Sequence, residues 1–236
     1  MMTNKPLSRV FSAQTKMSDL ICAHYNLLLV ITRFGIHLGF GEKTIGEVCQ
    51  SSNVDTPTLL TILNAVANIP QKPKKEELKS ISMNDLLTYL RNAHDYFLNF
   101  RLPLLRQQLV SAISNCPQEV AFAIRKFFDD YVEEVNKHMS YEEKTVFPYA
   151  EHLAKGERDD HYKISIFRRK HDQIEAKISE LKAIIIKYYP APSGYELNSV
   201  LHDIFSCEED LASHNFIEDH IFIPLMEIME QQTKKG

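Results

Sequence analysis

The chain has 236 residues, a net charge of -4, 44% hydrophobic residues, seven glycines and no tryptophan. That length holds one medium domain and a small one, and the scarcity of glycine disfavours a turn-rich β-sandwich or barrel. The mild negative charge supplies no positive field to gather nucleic acid or anionic lipid. Cys22, Cys49, Cys116 and Cys207 lie far apart with no CxxC pair, which fits free thiols in a reducing cytoplasm rather than a disulfide framework. Residues 1–18 lack the apolar stretch of a signal peptide, and no later run reaches membrane-spanning length, so a soluble cytoplasmic protein with no membrane partner is expected.

In chain order, Thr44 and Glu47 form a capping-box pattern, and Thr56 followed by Pro57 reads as an N-cap with proline at the first helical position. Residues 1–75 are therefore expected to form a small helical N-terminal domain. It ends in a linker around 69–80, where two prolines and dense charge resist burial. Residues 44–64 also have the outline of a helix-turn-helix, which raises a DNA-binding reading. Residues 57–67 contain no lysine or arginine, although a recognition helix ordinarily presents such side chains to phosphates, so no nucleic-acid partner is expected. Lys72, Lys74 and Lys75 read as a solvated linker.

Four long periodic segments follow at about 83–114, 118–154, 160–189 and 195–231, separated by short breaks. Segments joined this tightly pack as an antiparallel four-helix bundle, so the fold class is all-α, with the bundle over 76–236. The core stripes step by three and four residues. The first runs Met83, Leu87, Leu90, His94, Phe97, and the second Phe128, Tyr131, Val135, His138, Glu142, Val146, Tyr149. The third runs Ile164, Phe167, His171, Ile174, Ile178, Leu181, Ile185, Tyr188, and the fourth Val200, Ile204, Cys207, Leu211, His214, Glu218, Ile221, Leu225.

Each stripe points one histidine inward, and two add a glutamate one turn later on the same face. One histidine on an apolar face reads as a hydrogen-bonded core residue. Four imidazoles and two carboxylates in one core do not, because each buried charge costs on the order of several kcal/mol unless it is paired or metal-bound. The pattern also repeats: His138-Glu142-Pro148 and His214-Glu218-Pro224 share their offsets, and "HMSYEEKTVFPYAE" echoes "HNFIEDHIFIPLME". Two related hairpins suit a pair of metals, each with two histidines and both glutamates bridging. Mixed imidazole and carboxylate donors favour iron or manganese over zinc or soft metals, and iron is preferred for its redox chemistry. The predicted ligands are His94, His138, Glu142, His171, His214 and Glu218. Glu143 and Asp219 adjoin the bridges off the stripe, either solvated or hydrogen-bonded to a neighbouring ligand. Cys49 and Cys207 read as small apolar core residues. His24, His37, His152, His161, His202 and His220 lie outside the repeat.

These residues resemble the hemerythrin-like (HHE) family, whose H...HxxxE...H...HxxxE pattern is matched over about 83–231. Oxygen-carrying hemerythrins have an HxxxH pair on the third helix, where this chain has Glu175 four residues after His171. Four histidines with two glutamates resemble instead the Repair of Iron Centres family, which also has a small helical N-terminal domain. Residues 33–54, "RFGIHLGFGEKTIGEVCQSSNV", resemble that domain, with Leu38-Gly39 in place of its adjacent cysteine pair. The resemblance implies two iron ions in a non-haem di-iron centre, oxo-bridged when oxidised, that binds O2 or NO. It also implies a role in repairing damaged iron-sulfur proteins under oxidative or nitrosative stress. The alternative is an O2- or NO-sensing regulator, or a gas- or iron-binding protein without repair activity.

Overall fold

The computed structural model describes residues 10–157, 162–169, 172–190 and 194–233. Their regular secondary structure is helical, with a single isolated bridge between Lys16 and Thr44 and no β-strand among them. The all-α expectation holds. The chain divides into two compact units. One comprises Met1–Asn92, Leu153–Arg158 and Phe216–Gly236, and the other Ala93–His152 and Asp159–Asn215.

The first unit begins with five short helices: α1 (Met17–Ala23), α2 (Leu27–Arg33), α3 (Ile45–Ser52), α4 (Thr56–Ala67) and α5 (Lys75–Lys79). The capping box forms as expected. Glu47 accepts the Thr44 backbone N–H at 2.8 Å, and Thr44 Oγ1 accepts from the Glu47 backbone. At α4 the cap sits one residue earlier than Thr56. Asp55 accepts the Thr58 N–H at 2.9 Å, and its carboxylate also takes the Thr58 hydroxyl at 2.6 Å. Pro57 then falls in the first turn, where a missing N–H costs nothing. The turn between α3 and α4 passes through Asn53 at φ 55°, the left-handed conformation asparagine tolerates. The charged 69–80 segment holds α5, which buries Leu78.

The first turns of α6 (Met83–Asp95) belong to the same unit. Ser82 N–H donates to Thr58 Oγ1 at 2.8 Å, and Asp55 N–H to Asp85 Oδ2 at 2.9 Å. Asn92 Nδ2 donates to the Arg33 carbonyl at 2.7 Å. Arg33 is itself buried, with its guanidinium 5.9 Å from the Tyr89 ring centre.

The second unit carries most of the bundle. It holds α7 (Leu102–Ala112), α8 (Gln118–Tyr141), α10 (Asp172–Tyr188) and most of α9 (Phe147–Ala154) and α11 (Tyr195–Ile217), whereas α12 (Ile223–Thr233) belongs to the first unit. One hydrophobic cluster joins Leu105 and Leu109 of α7, Phe128 and Tyr131 of α8, Ile178 and Leu181 of α10, and Val200 and Ile204 of α11. Four helices thus share one core, as their stripes require.

The third segment departs from the periodic reading in two places. Residues 164–169 form a 3₁₀ segment ahead of α10 rather than its first turns. Ile164 and Phe167 remain buried there, since residues three apart eclipse on a 3₁₀ helix. Tyr188, placed on the third stripe, is 72% exposed at the end of α10. Among the described residues no helix is long and apolar enough to cross a membrane.

Candidate metal centre

Three π-helical turns interrupt the bundle helices: Tyr96–Arg101 between α6 and α7, Glu142–Val146 between α8 and α9, and Glu218–Phe222 between α11 and α12. Each closes with a five-residue hydrogen bond. Leu102 N–H donates to Phe97 O, Phe147 N–H to Glu142 O, and Ile223 N–H to Glu218 O. A proline follows each donor: Pro103, Pro148 and Pro224. Proline has no N–H, and its ring clashes with the carbonyl four residues back. The widened turn accommodates both defects, and π-turns recur at functional sites for this kind of reason.

Sequence periodicity missed these turns, although helix α6–α7 carried a signal. Its buried positions step from Phe97 to Leu102, Leu105 and Leu109. The first step of five marks one inserted residue, after which the steps of three and four resume.

The predicted residues gather at these turns. His94, His138, Glu142, His214 and Glu218 are all buried, both glutamates and His214 completely. One donor atom from each of His94, Glu142, His214 and Glu218 lies within 4.8 Å of the other three. His138 stands one turn before Glu142, with its Nε2 3.1 Å from Glu142 Oε1. His94 Nε2 is 3.1 Å from the other oxygen, Oε2. His171 and the side chain of Glu175 lie outside the described residues.

The two 3.1 Å separations are not hydrogen bonds, for neither Glu142 oxygen has a hydrogen-bond partner among the described residues. Donor atoms that converge on a common third point have this geometry. Metal–nitrogen and metal–oxygen bonds of about 2.1 Å at right angles place their donors about 3.0 Å apart. A carboxylate stripped of water with no donor to neutralise it costs several kcal/mol. The donor set therefore fits a cation, and Glu142 offers one oxygen on each of two sides.

Glu143, off the core stripe, has a defined part. Its Oε1 is 2.9 Å from His94 Nδ1, and its side chain is one-third exposed. An ionised carboxylate only accepts, so in the neutral imidazole the proton sits on Nδ1 and Nε2 is left as the lone-pair nitrogen toward Glu142. This is the carboxylate–imidazole pairing that orients metal-ligating histidines.

Aromatic rings line the imidazoles. Phe147 stacks on His94 with centroids 5.2 Å apart, and Phe167 stacks on His138 at 5.9 Å. Phe97 meets His214 edge-on at 6.0 Å. All three phenylalanines are buried, and hydrocarbon packed this closely limits access of water to the donors. Beside them, the Tyr141 and Tyr162 hydroxyls are 3.2 Å apart. Burial and the Tyr141 hydroxyl push the Tyr162 phenol well above its ordinary range, so it stays neutral.

The hemerythrin HHE cation binding domain description matches residues 85–226. The chain belongs to this family. The match spans the described His/Glu cluster and all three π-turns, so a cation-binding domain holds the geometry above. The chain is also similar to the iron-sulfur cluster repair protein ScdA of Staphylococcus haemolyticus. The two are 20% identical over 198 residues, which cover 81% of this chain and 88% of the relative. That span is longer than the HHE segment, so the similarity extends beyond it.

Proposed function

We propose that this hemerythrin-family chain holds two iron ions in a non-haem centre and works in iron-sulfur cluster repair under oxidative or nitrosative stress. In this reading His94, His138, Glu142, His171, His214 and Glu218 would hold the irons. The observation that carries it is Glu142, whose two buried oxygens each face the Nε2 of a different imidazole at 3.1 Å without a hydrogen bond. A carboxylate with an imidazole beside each oxygen can bridge two cations, which supports the di-iron reading. When bound, the irons supply one-electron redox chemistry and open positions for O2 or NO.

The chain's own residues prepare that chemistry. Glu143 holds the His94 proton on Nδ1, and Phe147, Phe167 and Phe97 keep the imidazoles out of bulk water. The low-dielectric surroundings strengthen attraction between the glutamates and a cation. Similarity to a protein named for iron-sulfur cluster repair supports the repair role, with damaged iron-sulfur proteins as partners and iron delivered to them as cargo. In the same reading, residues 1–75 form a helical domain ahead of a bundle over 76–236, and the protein acts in the cytoplasm.

A second reading, O2 or NO sensing or iron binding without repair, is favoured by one feature. Leu38, which with Gly39 stands where the repair family has adjacent cysteines, is 71% exposed. No dithiol is available there for thiol exchange.

Protein purified anaerobically from iron-supplemented cells is expected to hold about two irons per chain. His138→Ala and Glu218→Ala should each lose iron. Full metal content in both variants, or stoichiometric zinc in the parent, rejects the di-iron assignment. Incubating the ferrous protein with a nitric-oxide-damaged iron-sulfur enzyme then separates the readings: recovered enzyme activity supports repair, and none supports sensing.

A further inference from the structure

The three π-turns are copies of one another. Aligned on their closing hydrogen bonds, the segments read "FLNFRLP" from Phe97, "EEKTVFP" from Glu142 and "EDHIFIP" from Glu218. In each, the first residue is the carbonyl acceptor, the sixth is a buried apolar donor and the seventh is proline. The first residue is buried in all three, 1% exposed at Phe97 and 0% at both glutamates. A histidine lies one turn earlier each time, His94 three residues before and His138 and His214 four before, spacings that share a helix face. The copies therefore match in backbone, burial and neighbouring imidazole. They differ in the first side chain, a carboxylate twice and a phenyl ring once.

We propose that Phe97 is the specificity-determining residue of this centre: it occupies the third carboxylate position of the repeated motif and, by filling it with hydrocarbon, limits the site to two carboxylates. The inference rests on the metal-binding reading above. The Phe97 ring meets His214 at 6.0 Å with an interplanar angle of 71°, so a polar side chain at 97 would lie beside the cluster. A third buried carboxylate there would repel Glu142 and Glu218 strongly, since like charges at short range and low dielectric disfavour joint ionisation. Only added cation charge or a harder, more oxygen-seeking cation would offset this. Carboxylate-rich sites suit manganese and magnesium, whereas imidazole suits iron. Phe97 thus holds the donor balance on the imidazole side.

The test uses full-length parent, Phe97→Leu, Phe97→Gln and Phe97→Glu, each metal-free, then equilibrated anaerobically with equal ferrous iron and manganous ion. Bound metal is counted by mass spectrometry, and melting curves check the fold. Phe97→Leu should keep the parental iron-to-manganese ratio within about twofold. Phe97→Glu should shift it toward manganese by about tenfold or more, the range that changes around a metal site produce. Phe97→Gln, which adds an oxygen donor without charge, should shift it the same way by less, and it carries the test if Phe97→Glu does not fold. An unchanged ratio in a folded Phe97→Glu or Phe97→Gln variant overturns the proposal while leaving the metal site intact. A parent that takes up neither metal removes the site itself, and the proposal with it.

Discussion

The bundle contains two stretches that bury side chains by different means. Around Leu105, Phe128, Leu181 and Ile204 the contacts are hydrocarbon on hydrocarbon, and the helices keep their α-helical pitch. Around His94, Glu142, His214 and Glu218 the buried groups are imidazoles and carboxylates, and three helices widen into π-turns. Hydrocarbon burial needs only the right face, because the attraction is non-directional. A ligand layer needs particular atoms at particular distances, so the backbone there bends away from its regular form. One stretch is built for stability, and the other keeps a local cost that binding offsets.

The contrast is open to test by truncation and replacement in both stretches. The largest effect is expected at Phe128, which is 1% exposed. Phe128→Ala should destabilise the metal-free protein by about 3–5 kcal/mol through lost burial and a cavity, measured by urea unfolding. Equal stability of variant and parent would remove the hydrocarbon half of the contrast. At Glu142 the sign should reverse. Glu142→Leu is expected to stabilise the metal-free protein by roughly 1–4 kcal/mol, since an apolar residue replaces an uncompensated buried carboxylate. The same variant should show less of the rise in melting temperature that a bound cation is expected to give the parent. A destabilised metal-free variant would mean that Glu142 is a structural residue first. The smallest effect is expected at Glu143: Glu143→Ala should weaken metal affinity by about 10–100-fold and leave metal-free stability nearly unchanged. Chelator competition measures the first and urea unfolding the second.

Much of this organisation is legible in the residue order. The stripes of α8 and α11 follow from steps of three and four, and the repeat of His138-Glu142-Pro148 in His214-Glu218-Pro224 marks the two buried histidine–glutamate pairs. The Thr44 cap is legible because a capping box is a contact within four residues. The cap of α4 was less so. Asp55 and Thr56 are both competent caps, and the Asp55 N–H is held by Asp85, thirty residues along the chain. The third repeat, at Phe97, was hidden because its lead residue is apolar and reads as ordinary core. The 3₁₀ turn at 164–169 was hidden because Ile164 and Phe167, three apart, suit either helix type.

Local periodicity was sufficient for the all-α class and for most of the described inward-facing residues, Tyr188 excepted, because each depends on neighbours within two turns. The partner of each inward group was decided by packing. Glu143 lies 49 residues from His94 along the chain, yet its carboxylate accepts from that ring at 2.9 Å. Phe167 stacks on an imidazole 29 residues earlier, from a segment whose own periodicity marks it only as core. The same holds for Glu142, whose two oxygens each meet a different imidazole. Spacing on one helix places a side chain on a face, but the distance between atoms on different helices exists only after the helices have packed.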